Sequence, residues 1–292
     1  MNRFKRIGFF DIILVIFFSM ITLIMIFPLW KVLMVSFADT RSIAENPILL
    51  WPDRFDFNAY SMIFSTNQLL TSLGVTVFIT VAGVAYNLFL SLTLAYGLSI
   101  KDLPGRKYFI TFVMIPFFFV AGLIPYYLQV KNLGLINSVF AMIIPLGING
   151  WYLIIMKNFF QEIPPAMRES AKIDGANDLH ILIRIILPIS KAMIATFLLF
   201  YAVDRWNEWW HAMMFITDSN KRPLQSILRE LVFLSSSASG MAASYRRATG
   251  AYVNDDSVKM ATAIVTILPI VCIYPFLQKY FVQGIMLGAV KG

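Results

Sequence analysis

Charge is what this sequence has least of. Only 14% of its 292 residues are Asp, Glu, Lys or Arg, where a soluble domain carries about 25%. Shortage alone fits a large buried core as well as a lipid-facing chain, so the distribution decides. Uncharged runs recur from Ile12 to Trp30, Tyr108 to Val130, Asn132 to Met156 and Met260 to Gln278. Each approaches the roughly 20 residues a helix needs to cross a bilayer. A fifth lies inside the uncharged tract from Phe57 to Ile100, and the mean hydropathy is +0.72. The alternating pattern of a membrane barrel is missing. Helices are therefore expected, since lipid cannot satisfy open backbone donors and acceptors.

Other absences narrow the function. The single cysteine, Cys272, rules out an intrachain disulfide, and in the last apolar run it reads as a small apolar residue. The two histidines, His180 and His211, fall in different loops on opposite sides, so no metal cluster or acid–base pair can be assembled from them. No G-x-x-x-x-G-K-[ST] loop exists to cradle ATP. No repeat period or inverted symmetry is found. The net charge of +8 contains no basic run dense enough for nucleic acid, and reads instead as membrane topology.

Six helical spans are predicted, at roughly 9–36, 71–99, 107–130, 137–158, 184–206 and 257–280. Arg3, Lys5 and Arg6 precede the first, as in a signal peptide. That run is long, is interrupted by Asp11 and lacks a small-residue cleavage pattern, so it reads as an uncleaved span. Basic residues also flank the second span (Lys101, Arg106, Lys107) and the C-terminus (Lys279, Lys291), whereas the segment after the first span is net negative. By the positive-inside rule both termini are cytoplasmic. The expected organisation is a first span and outer segment over 1–70, a helical core over 71–281, and a tail over 282–292. Residues 37–70 and 207–256 form the long outer segments. In the former, "NPILLWP" reads as irregular chain punctuated by Pro47 and Pro52; in the latter, "RPLQSILRELVF" reads as an amphipathic helix and "SSSASGMAAS" as a flexible loop.

Against this background "ESAKIDGANDLHILIRIILP", Glu169 to Pro188, is anomalously polar. The prolines before it suit a helix start. Gly175 is placed to stop that helix at positive φ, and Asn177 or Asp178 to cap a second one that runs to Pro188. The product is a cytoplasmic knob over about 164–183, with small residues at its corner. Either it is a solvated loop, or another body approaches it closely.

The stretch resembles the cytoplasmic pattern of binding-protein-dependent ABC importer permeases: Glu-Ala-Ala, then Gly, nine residues, then Ile-x-Leu-Pro. Here it stands as Glu169-Ser170-Ala171, Asp174-Gly175-Ala176 and Ile185-Ile186-Leu187-Pro188, with serine, nearly as small, replacing the middle alanine. "RWNEWW" (Arg205 to Trp210) and the C-terminal "FVQGIMLGAVKG" are similar to the carbohydrate-uptake branch, the maltose G-type and complex-oligosaccharide smaller permeases. The resemblance implies an all-α integral membrane protein with six transmembrane helices in the type I importer permease fold. It implies a second homologous permease subunit, an extracytoplasmic solute-binding protein, and two ATPase subunits that hold the ATP and Mg this chain does not. Glu169 to Ala176, continued by Leu187 and Pro188, would form the coupling element. The implied cargo is carbohydrate, an oligosaccharide, with acidic oligomers from plant or algal polymers as one option.

Candidate contacts along the substrate path are Asn87, Asn149, Trp206, Asn207 and Glu208. Two readings stand for each. The tryptophans supply either sugar-stacking faces or an interfacial aromatic belt. The asparagines face either a pathway or neighbouring helices. Asp204, Arg205 and Glu208 can equally form a structural charge cluster. Lys221, Arg222, Arg246 and Arg247 make the second outer segment basic, either as docking charges or as solvated ones. The competing function is a secondary transporter acting alone on an ion gradient; the spans lack a set of carboxylates for coupling to ions.

Overall fold

A computed structural model describes residues 8–289, with 47, 66, 120, 234 and 251 excepted. Arg3, Lys5, Arg6 and Lys291 lie outside the described residues. The described chain is helical, its one bridge an isolated antiparallel pair between Ala38 and Phe55. In order, the helices are α1 (Phe9–Ser36), α2 (Thr40–Glu45), α3 (Asn58–Ser65), α4 (Asn67–Ser99), α5 (Arg106–Phe118), α6 (Leu123–Asn132), α7 (Gly150–Glu162), α8 (Pro165–Ile173) and α9 (Asp178–Ile181). They continue as α10 (Leu187–Ile189), α11 (Lys191–Trp206), α12 (Trp210–Phe215), α13 (Leu224–Phe233), α14 (Ser235–Thr249) and α15 (Asp255–Ala289).

The first, second and last expected spans are present as α1, α4 and α15, and α1, α4 and Asp255–Ile273 of α15 are long and apolar enough to cross a bilayer. The middle three depart from straight helices, and glycine or proline lies at or beside each break. The third, 107–130, stands as α5 and α6. Phe119 N–H closes α5 on Ile115 O at 2.9 Å, Pro116 lies in its last turn, and Gly122 precedes α6. The fourth begins as 3₁₀ turns at Val139–Met142 and Ile144–Leu146, the second containing Pro145, and joins α7 at a 46° bend. The fifth turns by 87° between Asp178–Ile189 and α11. With those two bent pairs, the described residues hold up to five candidate spans by length and composition.

The chain divides into two compact units, one of Met1–Asn67 with Leu228–Leu268, the other of Gln68–Ile227 with Pro269–Gly292. In the first, the end of α1 (Met34, Val35) is buried with Ala38 and Leu49, and Met260 packs against them. Ser257 Oγ donates to Ala38 O at 3.1 Å, and Trp30 Nε1 to Leu50 O at 2.9 Å. The described residues of "NPILLWP" form no helix or strand, as its prolines predict, while just before it Asp39 caps α2 through Ser42 N–H. "SSSASGMAAS" is a further correction. It belongs to α14 rather than to a flexible loop, its alanines favouring helix and its single glycine costing only about 1 kcal/mol.

In the second unit, the main core joins the end of α4 (Ala95, Tyr96, Leu98), α7 (Leu153, Met156, Phe160) and α11 (Met193, Phe197, Tyr201). Ala171, Ile181, Leu182 and Ile186 belong to the same core. The polar stretch of the sequence is therefore anchored to the helices it interrupts. The expected amphipathic helix exists as α13, with Leu224 fully buried and its N–H donated to Thr76 Oγ1 at 2.8 Å.

Candidate functional site

The corner at Gly175 follows from local rules. Pro165 occupies the first turn of α8, where a missing N–H costs nothing. At the other end Gly175 has φ +84°, its N–H donates to Lys172 O at 3.0 Å, and Ala176 N–H donates to Ala171 O at 2.9 Å. Those two bonds form a Schellman motif, which satisfies the last carbonyls of the helix and requires the left-handed residue at its centre. Asn177 then caps α9, its Oδ1 accepting from His180 N–H at 2.8 Å. Of the two caps the sequence allowed, the chain uses Asn177. Lys172 Nζ lies 3.1 Å from Asp178 Oδ1 across the corner, a half-exposed pair contributing about 0–1 kcal/mol.

Beyond α9 the helix does not continue as α. Residues Leu182–Ile186 form a π turn just before Pro188. A proline ring clashes with the carbonyl four residues back, here that of Arg184, and widening the turn relieves the clash. The sharp bend falls at Ser190, whose N–H and Oγ both bond to Ile186 O, at 3.1 and 2.7 Å.

The faces of the corner divide cleanly. Ala171 is buried in the core while Glu169, Ser170, Asp174 and Gly175 are exposed, Ala176 and Leu187 are half-buried and Pro188 is exposed. Among the described residues, the side chains of Glu169, Ser170 and Asp174 make no hydrogen bond. Ile173 is 87% exposed. An open concavity of about 430 Å³ is lined by Asp174, Gly175, Ala176, Asn177 and His180. A Cβ built on Gly175 meets nothing within 4 Å.

The candidate pathway residues have different fates. Asn87 is 1% exposed and donates from Nδ2 to Leu146 O and, at 2.9 Å, to Gly147 O. It satisfies the helix break ahead of α7. Asn149 caps α7, accepting from Trp151 N–H at 3.0 Å and Tyr152 N–H at 3.2 Å. Trp206 is buried, and exposed Asn207 donates to Val203 O and accepts from Gln225 Nε2, both at 2.9 Å. Asn87, Asn149 and Asn207 each bond to main-chain or side-chain groups of the chain itself.

Glu208 is buried as well. Its Oε1 accepts from His211 N–H at 2.9 Å, and its Oε2 lies 3.0 Å from His211 Nδ1. Burial pushes its carboxyl up in pKa, but His211, through ring and backbone, and Arg205 outweigh it, so the pKa stands below the ordinary value. Tyr126 crosses the His211 ring edge-on at 5.9 Å and stacks on Trp210 at 6.3 Å. Arg205, 6% exposed, donates to Met142 O at 2.9 Å and lies against Gly83, where a Cβ would come within 2.7 Å of its Cδ. The structural charge cluster allowed by sequence is thus present in part. Its partners His211, Tyr126, Met142 and Gly83 were missed, being distant in sequence or ordinary in type.

Apolar helices long enough to cross a bilayer, joined through an exposed polar corner, fit the class of membrane permeases. More particularly, the chain belongs to the family of binding-protein-dependent transport system inner membrane components, whose family model matches residues 87–287. The polygalacturonan/rhamnogalacturonan transport system permease protein YtcP of Bacillus subtilis is 44% identical, over 97% of this chain and 98% of its own. Protein LplC of the same organism is 40% identical over 100% and 98% of the two chains. Among solved structures, a bacterial ABC transporter involved in the import of the acidic polysaccharide alginate superposes with a TM-score of 0.86 at 29% identity, covering 96% of this chain and 100% of its own. The fold is that of the type I importer permeases.

Proposed function

We propose that the chain is a permease subunit of an ATP-driven importer of oligosaccharide, with acidic oligomers as its cargo. The acidic assignment is supported by a relative named for polygalacturonan and rhamnogalacturonan transport and by the structural likeness to a transporter involved in alginate import. In this reading six spans cross the membrane, counting α5 and α6 as one broken span, and both termini are cytoplasmic. A second homologous permease completes the pathway, two ATPase subunits hold ATP and Mg, and an extracytoplasmic binding protein delivers the sugar.

The observation that carries the coupling role is the Schellman-closed corner, buried on Ala171 and open on Glu169, Ser170, Asp174 and Gly175. Closure of the ATPase pair on nucleotide would displace this corner. Ala171, Ile181, Leu182 and Ile186 share a core with α4, α7 and α11, so displacement passes to those helices without an intervening loose segment. Nucleotide shifts the transport equilibrium only as far as it binds one state better than the other, and the corner transmits that difference. Shape matters at least as much as charge, because an exposed ion pair contributes only about 0–1 kcal/mol.

Gly175→Asp tests this reading. Aspartate tolerates positive φ better than most residues, so the corner should persist while a carboxylate enters its outer face. The expected outcome is a variant that inserts and assembles but loses ATP-driven uptake in proteoliposomes. Normal uptake by the inserted variant would refute the coupling role.

A further inference from the structure

The end of α14 carries a second feature, separate from the corner. Gly250, at φ +76°, donates its N–H to Arg246 O at 2.8 Å and reverses the chain. The return leg buries Val253 and leaves Tyr252 57% exposed. An open concavity of about 600 Å³ results, lined by Arg246, Arg247, Tyr252, Val253 and Asp255. The Arg246 guanidinium carbon lies 5.4 Å from the Tyr252 ring centroid. Arg247 makes only long contacts to neutral acceptors, Ala243 O at 3.3 Å and Ser244 Oγ at 3.4 Å. Among the described residues, neither arginine has a carboxylate at salt-bridge distance.

We infer that this concavity is a binding site for the carboxylate of an acidic sugar. The inference rests on the proposed function, in which residues 207–256 face the outside. A guanidinium presents paired donors that match a carboxylate's two oxygens, and Arg stacked on an aromatic ring is held ready to do so. A uronate sugar carries that carboxylate on one edge and a C–H face that suits Tyr252. The volume falls within the range of roughly 300–1,000 Å³ found for small-ligand sites. Two cations against the single Asp255 on the wall also attract a polyanionic oligomer from a distance. An anionic lipid headgroup would supply a similar charge. However, α14 is built of serine, alanine and glycine with Met241, Tyr245 and the two arginines, and lacks the bulky apolar face of a lipid-inserting helix.

The test uses the assembled transporter in nanodiscs of neutral lipid, titrated with a galacturonate oligomer and with its methyl-esterified counterpart. The wild type should bind the acid at least about tenfold more tightly than the ester. The double variant Arg246→Gln, Arg247→Gln should abolish that preference, and a Lys, Lys variant should keep its salt dependence but not its full affinity. Equal binding of acid and ester by the wild type, or a preference that survives the Gln substitutions, overturns the site. So does loss of co-purifying anionic lipid in place of sugar. ATP-driven uptake of the acid by wild type is measured in parallel. Uptake with unchanged binding across the variants removes only this site, whereas no wild-type uptake removes the acidic-oligosaccharide reading with it.

Discussion

The corner at Gly175 and the polar cluster around Arg205 and Glu208 hold similar residues, yet they differ in what those residues touch. In the polar cluster, hydrogen-bonding groups are taken up within the chain: Glu208 onto His211, Arg205 onto Met142 O, Asn207 onto Val203 and Gln225. At the corner backbone bonds close the turn, while among the described residues the side chains of Glu169, Ser170 and Asp174 make no hydrogen bond. Groups consumed within the chain hold the chain together. Groups held in place but unconsumed are offered to something else.

The contrast is broken most strongly at Asn87. Replacing it with leucine leaves the carbonyls of Leu146 and Gly147 unpaired in a buried site, at about 1–3 kcal/mol each. The purified subunit complex should melt at a lower temperature, and uptake should fall only in proportion to folded protein. Lost uptake at unchanged stability would place Asn87 on the pathway. Gly83→Val comes next, because the added side chain meets a buried arginine that cannot swing away. Overpacking of this kind costs about 1–3 kcal/mol, read as a lower melting temperature.

A pH series sharpens the Glu208 half of the comparison. The folded-state pKa of Glu208 lies below its ordinary value of 4.5, so its contribution to stability is complete above that pH. As pH falls through the lower folded-state value the contribution is lost. Glu208→Gln should remove this acid-side loss, as a thermal-shift titration across pH 3–6 would show. At the corner the expected stability effects are smallest. Gly175→Val forces positive φ on a branched residue, at about 1–2 kcal/mol, and should depress uptake beyond that cost. Gly175→Asn should be milder in stability. Glu169→Gln should shift the melting temperature hardly at all, since its carboxylate has no partner among the described residues.

Much of the corner was legible in sequence because it is built from short-range rules: proline at a helix start, glycine at positive φ, an asparagine cap three residues from its target. The same holds for α1, α4 and α15, whose apolar runs are long and nearly uninterrupted. What sequence could not supply was the path between runs. Pro116, Gly122, Pro145 and Ser190 convert three expected straight spans into broken or bent ones, and no hydropathy window registers an 87° turn. For Asn87 the sequence allowed a neighbouring helix but could not name the partner. Its partners are the carbonyls of a helix break 59 and 60 residues away, which carry no residue-type signal. The serine-rich part of α14 was misread because small polar residues suit a loop or a helix, and alanine content decides between them only weakly.

The central claim, that the outer face of the corner contacts an ATPase subunit, is tested most directly by photo-crosslinking from position 170 in the assembled transporter. A photoreactive residue at Ser170 should form an adduct with the ATPase subunit whose yield changes with nucleotide, and the same residue at Asn220 should not. A fully assembled, transporting complex that gives no ATPase adduct from position 170, with or without nucleotide, would contradict the account.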